Sequence, residues 1–265
     1  MSSTVYTLTL NASLDYHVAV NKIQLGGLNL AENAHINCGG KGINVSKVLK
    51  TLQANTMAIA VTAGFTGQQV QQSLHNMGVP HKCITLKEGL TRINVKLHDH
   101  SNRQETEING TPLTASPEEE QQILNTIAGL VTKDDILVMS GSIIKPFPTN
   151  IYQKIARMLP EGTKTVLDTR GDMLTKNIHN NFLIKPNLFE LQQCANKDLT
   201  TVKEIADTAR NFFIDKGIQN VLISMGAKGS MLVTQTKIYQ AEPVVVNVCN
   251  SVAAGDSMVA GFLAG

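Results

Sequence analysis

Apolar and polar positions run along this chain in two alternating rhythms. Short, near-continuous apolar stretches rich in Val, Ile and Leu fall at residues 5–10, 57–61, 136–139, 165–168, 182–185 and 221–224. Such runs predict strands covered on both faces, as in a parallel sheet. Between them, apolar residues recur with a helical period over 43–52, 68–77, 118–130, 151–159 and 202–216. The third of these opens on Ser116-Pro117, with Glu118, Glu119 and Glu120 in its first turn. That start supplies a cap, a proline preset for the helix and charges that complement its dipole. Strand and helix in alternation predict a doubly wound α/β fold, a mostly parallel sheet flanked by helices.

Two segments break this rhythm. Residues 15–38 and 91–109 read as β-structure without helices. Arg92-Ile93-Asn94-Val95-Lys96-Leu97 alternates strictly, as does part of 105–108, across a polar turn at 99–102. Alternation means one covered and one wet face. These pieces predict a small β-sheet lid over the C-terminal edge of the main sheet. With no Ser/Gly linker, repeat or low-complexity tract, residues 1–265 read as one domain carrying that lid. Residues 252–265 read as the opening of a buried helix, so further C-terminal helices are expected to be missing from this form.

Composition narrows the field. A hydrophobic share of 42% in 265 residues can fill a core and excludes intrinsic disorder. The 23 Lys+Arg against 21 Asp+Glu leave +2, too small a surplus for a general nucleic-acid surface. Cys38, Cys83, Cys194 and Cys249 lie far apart with no CxxC pair, which argues against a disulfide scaffold or a structural zinc site. The N-terminus lacks a basic start, and no stretch reaches the ~20 apolar residues of a membrane span. These features predict a reduced, cytoplasmic protein with neither nucleic acid nor membrane as partner.

Four polar or glycine-rich motifs fall at predicted strand ends, where open α/β sheets bind ligands. The run Cys38-Gly39-Gly40-Lys41-Gly42-Ile43-Asn44 sets glycines and a lysine at a strand-to-helix junction. Backbone can approach a ligand there, and a helix start favours anions. A tight structural turn reads equally well, and the spacing is neither a Walker A loop nor a dinucleotide fingerprint. Residues 250–257 set small residues before Asp256 at a helix start. Free amides beside a carboxylate suit phosphoryl transfer, the carboxylate taking the attacking hydroxyl's proton; a plain capping aspartate is the simpler alternative. Lys185-Pro186-Asn187-Leu188-Phe189-Glu190 and Ser224-Met225-Gly226-Ala227-Lys228-Gly229 complete the set. Lys145, after Ser140-Gly141-Ser142, reads as substrate-facing or as surface, while His98 and His100 read as hairpin-tip surface.

These motifs resemble those of the ribokinase-like sugar kinases, the phosphofructokinase B family. GGKGINVS at 39–46 is similar to that family's N-terminal signature and NSVAAGDSMVAGF at 250–262 to its C-terminal one. The likeness runs over essentially the whole chain. Within the family, TLNASLD at 9–15, TRINVKL at 91–97, ETEING at 105–110 and IKPNLFEL at 184–191 most resemble the branch acting on fructose 1-phosphate. The branch acting on tagatose 6-phosphate comes next. The resemblance implies a ribokinase-like α/β fold with a β lid, and phosphorylation of D-fructose 1-phosphate to fructose 1,6-bisphosphate with ATP and Mg²⁺. It implies Asp256 as general base and the amides of Ala253, Ala254 and Gly255 as an anion hole. Asp15, Gly39, Gly40 and Asn44 would line the sugar hydroxyls, and Lys41 and Arg92 would hold the substrate's existing phosphate. Lys185, Asn187 and Glu190 would stand by the ATP phosphates, and Ser224, Gly226 and Gly229 would form the nucleotide loop. Magnesium would arrive with ATP, without a direct protein ligand, Glu190 reaching it through water.

Three departures from the family pattern matter. The weightiest is the missing C-terminal helices, which complete the nucleotide pocket in relatives, so poor ATP binding is expected of this form. Ala253 stands where the family has the first glycine of GAGD, and Ala12 where it has a proline. If position 253 needs a positive φ, its methyl costs on the order of 1 kcal/mol. The expectation is slowed rather than abolished catalysis; the alternative is a degenerate sugar-phosphate binding protein. Exposed lid edges predict a homodimer through the lid.

Overall fold

A computed structural model describes residues 3–244 and 253–265. Seven parallel strands form the body of the main sheet: β1 (Val5–Thr9), β4 (Thr56–Ala63), β5 (His81–Leu86), β8 (Ile136–Ser140), β9 (Lys164–Asp168), β10 (Leu183–Ile184) and β11 (Asn220–Ser224). A hairpin of β12 (Ser230–Thr234) and β13 (Ile238–Ala241) adds to one edge, antiparallel at each pairing. The order is β13-β12-β11-β10-β9-β8-β1-β4-β5. All six expected strands are present, although 182–185 shrinks to two paired residues. The edge strand β5 and the β12–β13 hairpin were not expected. HKCITL buries only Ile84 and Leu86 fully, too thin an apolar signal to read as a covered strand.

Among the described residues, eight helices pack on the sheet: α1 (Lys41–Thr51), α2 (Gly64–Asn76), α3 (Pro117–Leu130), α4 (Ile151–Met158), α5 (Asp172–Thr175), α6 (Leu188–Ala195), α7 (Val202–Phe212) and α8 (Ala254–Ala264). The side chains of β8 alternate between two cores. Leu137 and Met139 join Ile123 of α3, Tyr152 of α4 and Ala206 of α7, whereas Val138 joins Val45 of α1 and Val259 of α8. The start of α3 is the expected one: Ser116 Oγ accepts from Glu119 N, and Glu119 Oε2 accepts from Ser116 N. The helix expected over 202–216 stops at Phe212, and its remainder is a 3₁₀ turn, Ile214–Lys216.

The lid is a four-stranded sheet of β2 (Ser13–Val20), β3 (Asn33–Gly39), β6 (Arg92–Asp99) and β7 (Gln104–Ile108), in the order β3-β2-β6-β7. Its central pair is parallel and the outer pairs antiparallel. The segment 15–38 is therefore not continuous β-structure; residues 21–32 connect β2 to β3 and expose Leu25, Leu28 and Leu30. His98 departs from the hairpin-tip expectation. It lies inside β6 and stacks on His17, which stacks in turn on His35.

Candidate active site

The C-terminal ends of β1, β8, β9, β10 and β11 open into a cleft of about 640 Å³, lined also by the starts of α1 and α8 and by the polar face of the lid. This is where α/β sheets bind ligands. Alternation in the lid strands turns Asp15, Arg92, Asn94 and Lys96 to the cleft. The junction of lid and body depends on glycine. Gly40 has φ 126° and precedes α1, and a Cβ on it would stand 2.5 Å from Thr9 Cγ2; no other residue fits that conformation and contact. Gly39 packs behind Asp15, its missing Cβ 2.5 Å from Asp15 Oδ2.

Asp256 lies in the first turn of α8, 5% exposed. It is not the cap of that helix: the cap is Ala253. Asn44 Nδ2 donates to Asp256 Oδ2 at 2.8 Å and orients the carboxylate. Burial first, then the negative Asp168, lift its pKa above the ordinary aspartate value, against the pull of Asn44, Lys41 and Lys185. Ser257 N donates to the Ala253 carbonyl as the first bond of α8. The amides of Ala254, Gly255 and Asp256 precede that bond, as an anion-binding helix start requires. Residues 250–252 of this motif lie outside the described residues.

Ala253 has φ 64°, ψ 6°, so the position does take the left-handed conformation that glycine favours. Ala253→Gly should relieve about 1 kcal/mol of strain. A raised urea midpoint together with faster turnover is the expected result.

Asp168, at the end of β9, was not singled out by the sequence. It is 1% exposed, and its Oδ1 accepts a hydrogen bond from Lys41 Nζ at 3.1 Å and forms an ion pair with Lys185 Nζ at 3.3 Å. Burial works against the Lys41 charge, but the neighbouring Asp168 carboxylate outweighs it and raises the lysine pKa. On the lid, Asp15 Oδ1 accepts from Ser13 Oγ and Asn94 Nδ2, and Lys96 Nζ pairs with Glu107 Oε1 at 2.9 Å. Arg92 donates through Nη2 to the Asn11 carbonyl at 3.3 Å. Burial lowers its pKa, opposed by Asp15, yet a guanidinium stays charged.

The expected nucleotide residues divide. Asn187 caps α6, its Oδ1 accepting from Glu190 N at 2.7 Å, while Glu190 Oε2 accepts from Asn187 N at 2.9 Å. Both line the cleft, as do Lys185 and Ser224. Gly226 and Gly229 bound a 3₁₀ turn after β11 and do not line it. Lys145 does not line it either, although Ser140, Gly141 and Ser142 do.

Among the described residues, seven buried side-chain atoms have no hydrogen-bond partner, and four belong to residues lining this cleft: Asn11 Oδ1, Arg92 Nε, Ser140 Oγ and Thr169 Oγ1. Buried polar groups are rarely left unpaired, so the cleft is built for a ligand rich in both donors and acceptors. A family model described as pfkB family carbohydrate kinase matches residues 9–265. The chain belongs to the pfkB family of carbohydrate kinases. This pfkB kinase is 38% identical over 263 residues to a 1-phosphofructokinase of Bacillus subtilis, spanning 98% of this chain and 85% of that one. It is 30% identical over 267 residues to a tagatose-6-phosphate kinase of Staphylococcus epidermidis, spanning 98% and 84%. Phosphofructokinase-2 of Escherichia coli, solved in complex with fructose-6-phosphate, superposes with a TM-score of 0.90 at 26% identity, over 99% of this chain and 88% of that one. The fold is thus the ribokinase-like one expected.

Proposed function

We propose that this kinase transfers the γ-phosphoryl group of ATP to the 6-hydroxyl of D-fructose 1-phosphate, giving fructose 1,6-bisphosphate and ADP. The observation that carries this reading is one cleft joining a buried carboxylate at a helix start, Asp256, with Lys41, Lys185 and Arg92 among its three lysines and two arginines. Asp256 takes the proton of the sugar hydroxyl as its oxygen attacks the γ-phosphorus and the bond to the bridging oxygen of ADP breaks. The amides of Ala254 and Gly255, with Lys185 beside them, stabilise the charge spread over the equatorial oxygens. Arg92 and Lys41 hold the existing phosphate, whose roughly two negative charges suit one guanidinium and one ammonium. Asp15, Asn44 and the backbone at Gly40 face the sugar, whereas Gly39, expected beside it, packs behind Asp15 and does not line the cleft. The lid excludes water, the competing acceptor.

Asn187, Glu190 and Ser224 would border the ATP phosphates, and magnesium would neutralise charge on them. The ion would be carried in by ATP, with Glu190 reaching it through water. Cys38, Cys83 and Cys194 are free thiols, in keeping with a reducing, cytoplasmic setting.

The B. subtilis relative supports fructose 1-phosphate as substrate. The S. epidermidis relative supports tagatose 6-phosphate as the second reading. ADP release, measured with fructose 1-phosphate, fructose 6-phosphate, tagatose 6-phosphate and free fructose, decides between them. Highest kcat/KM is expected on fructose 1-phosphate. Preference for tagatose 6-phosphate would establish the second reading, and binding without turnover would indicate a degenerate kinase.

The lid also supports a homodimer, through a face rather than the edges expected from sequence. Tyr16, Ile36, Ile93 and Ile108 are exposed on the side of the lid opposite Asp15 and Lys96. Light scattering should give a dimer mass for the wild type and a monomer mass for Ile108→Asp. A wild type that stays monomeric at high concentration would refute this assembly.

A further inference from the structure

Asp168 sits where the two halves of the proposed reaction meet. One oxygen, Oδ1, is shared by two ammonium groups that differ in their freedom. The Lys185 side chain is only 6% exposed, and its Nζ lies 3.2 Å from where a Cβ on Gly255 would stand, against the start of α8. The Lys41 side chain is 39% exposed. The second carboxylate oxygen of Asp168, Oδ2, is buried with no partner among the described residues. We propose that Asp168 is a positioning residue that holds Lys185 permanently at the anion hole and holds Lys41 only until the substrate's phosphate takes it over. This rests on the reading of Lys41 and Lys185 as phosphate ligands.

Competition for the lysines separates the two. Two ammonium groups on one oxygen each obtain a shared acceptor. A phosphate dianion offers more charge and three terminal oxygens, so it outcompetes Asp168 for whichever lysine can reach it. Lys41 has an open side and a flexible stem; Lys185 is enclosed. When Lys41 leaves, the undivided charge of Asp168 falls on Lys185, just as a phosphoryl group needs that lysine fixed. Asp168, Asp256, Lys41 and Lys185 together carry no net charge, so the floor of the cleft does not repel an incoming dianion; Arg170 and Glu190 are the remaining charged groups on this wall.

The test uses Asp168→Asn, which keeps the shape and removes the charge, with inorganic phosphate as the probe. Calorimetry should show phosphate binding about 3- to 10-fold tighter, because the competitor for Lys41 is gone. Turnover on the preferred sugar phosphate should fall about 10²-fold, because Lys185 loses its anchor. A merely structural role would weaken both. In a Lys41→Gln background the gain in phosphate affinity should vanish. Unchanged or weaker phosphate binding by folded Asp168→Asn overturns the proposal. If that variant does not fold, the wild type carries the test: phosphate should shift the Lys41 ammonium resonance in ¹⁵N-lysine spectra and leave that of Lys185 in place. Any other pattern overturns it. Phosphate titration thus tests this inference, and the sugar-phosphate panel separately tests the kinase reading.

Discussion

Asp256→Asn should lower turnover by about 10²- to 10⁴-fold, the usual contribution of one positioned base, without unfolding the protein. Asparagine fills the same space and still offers an oxygen to Asn44 Nδ2, now at 2.8 Å from the carboxylate. The pH dependence follows from the same environment. Burial, and then the like charge of Asp168, raise the pKa of Asp256. In the proposed role of base Asp256 works only when ionised, so kcat/KM of the wild type should fall on acidification at a pH above the ordinary aspartate range. The stability effect has the opposite sign. A carboxyl whose folded pKa exceeds its unfolded one contributes stability at low pH that is lost as pH rises through the folded value. At neutral pH the asparagine variant should therefore match or exceed the wild type in urea midpoint. Retained turnover would remove Asp256 from the role of base, and a lowered midpoint would contradict the burial argument.

Arg92→Ala should raise KM for the sugar phosphate about 10- to 100-fold and leave KM for ATP nearly unchanged. Hydrogen bonds to charged groups contribute roughly 1.5–3 kcal/mol, which corresponds to that range. Arg92 makes one long bond to the Asn11 carbonyl, and among the described residues its buried Nε has no partner, so its donors suit the phosphate of the proposed substrate. Arg92→Lys should restore only part of the loss, because an ammonium cannot bind a phosphate in the two-pronged manner of a guanidinium. Equal effects on both substrates, or none, would move the phosphate site elsewhere.

The body of the fold was legible in the sequence because its strands are buried on both faces and read as unbroken apolar runs. The lid was legible for the opposite reason: Arg92 to Leu97 alternates, and its polar members reach the cleft. What stayed hidden was either thin in apolar signal, like β5, or dependent on contacts between distant residues. The stack of His17, His35 and His98 joins three strands, and no local pattern reports it. Asp168 ends a stretch, Thr165-Val166-Leu167-Asp168, that reads simply as a core strand. Only its position at a strand's C-terminal end, where ligands bind, could have marked it. The Asn187–Glu190 pair shows the reverse difficulty. Its spacing fits both a ligand motif and a capping box, and the structure uses it as a cap at the edge of the cleft.

The most direct measurement is ³¹P NMR of the wild-type protein incubated with ATP, Mg²⁺ and fructose 1-phosphate. A second phosphomonoester resonance, growing in step with ADP, is the predicted result and identifies phosphoryl transfer to a sugar hydroxyl. Unchanged ATP, or ADP accompanied only by inorganic phosphate, would contradict it.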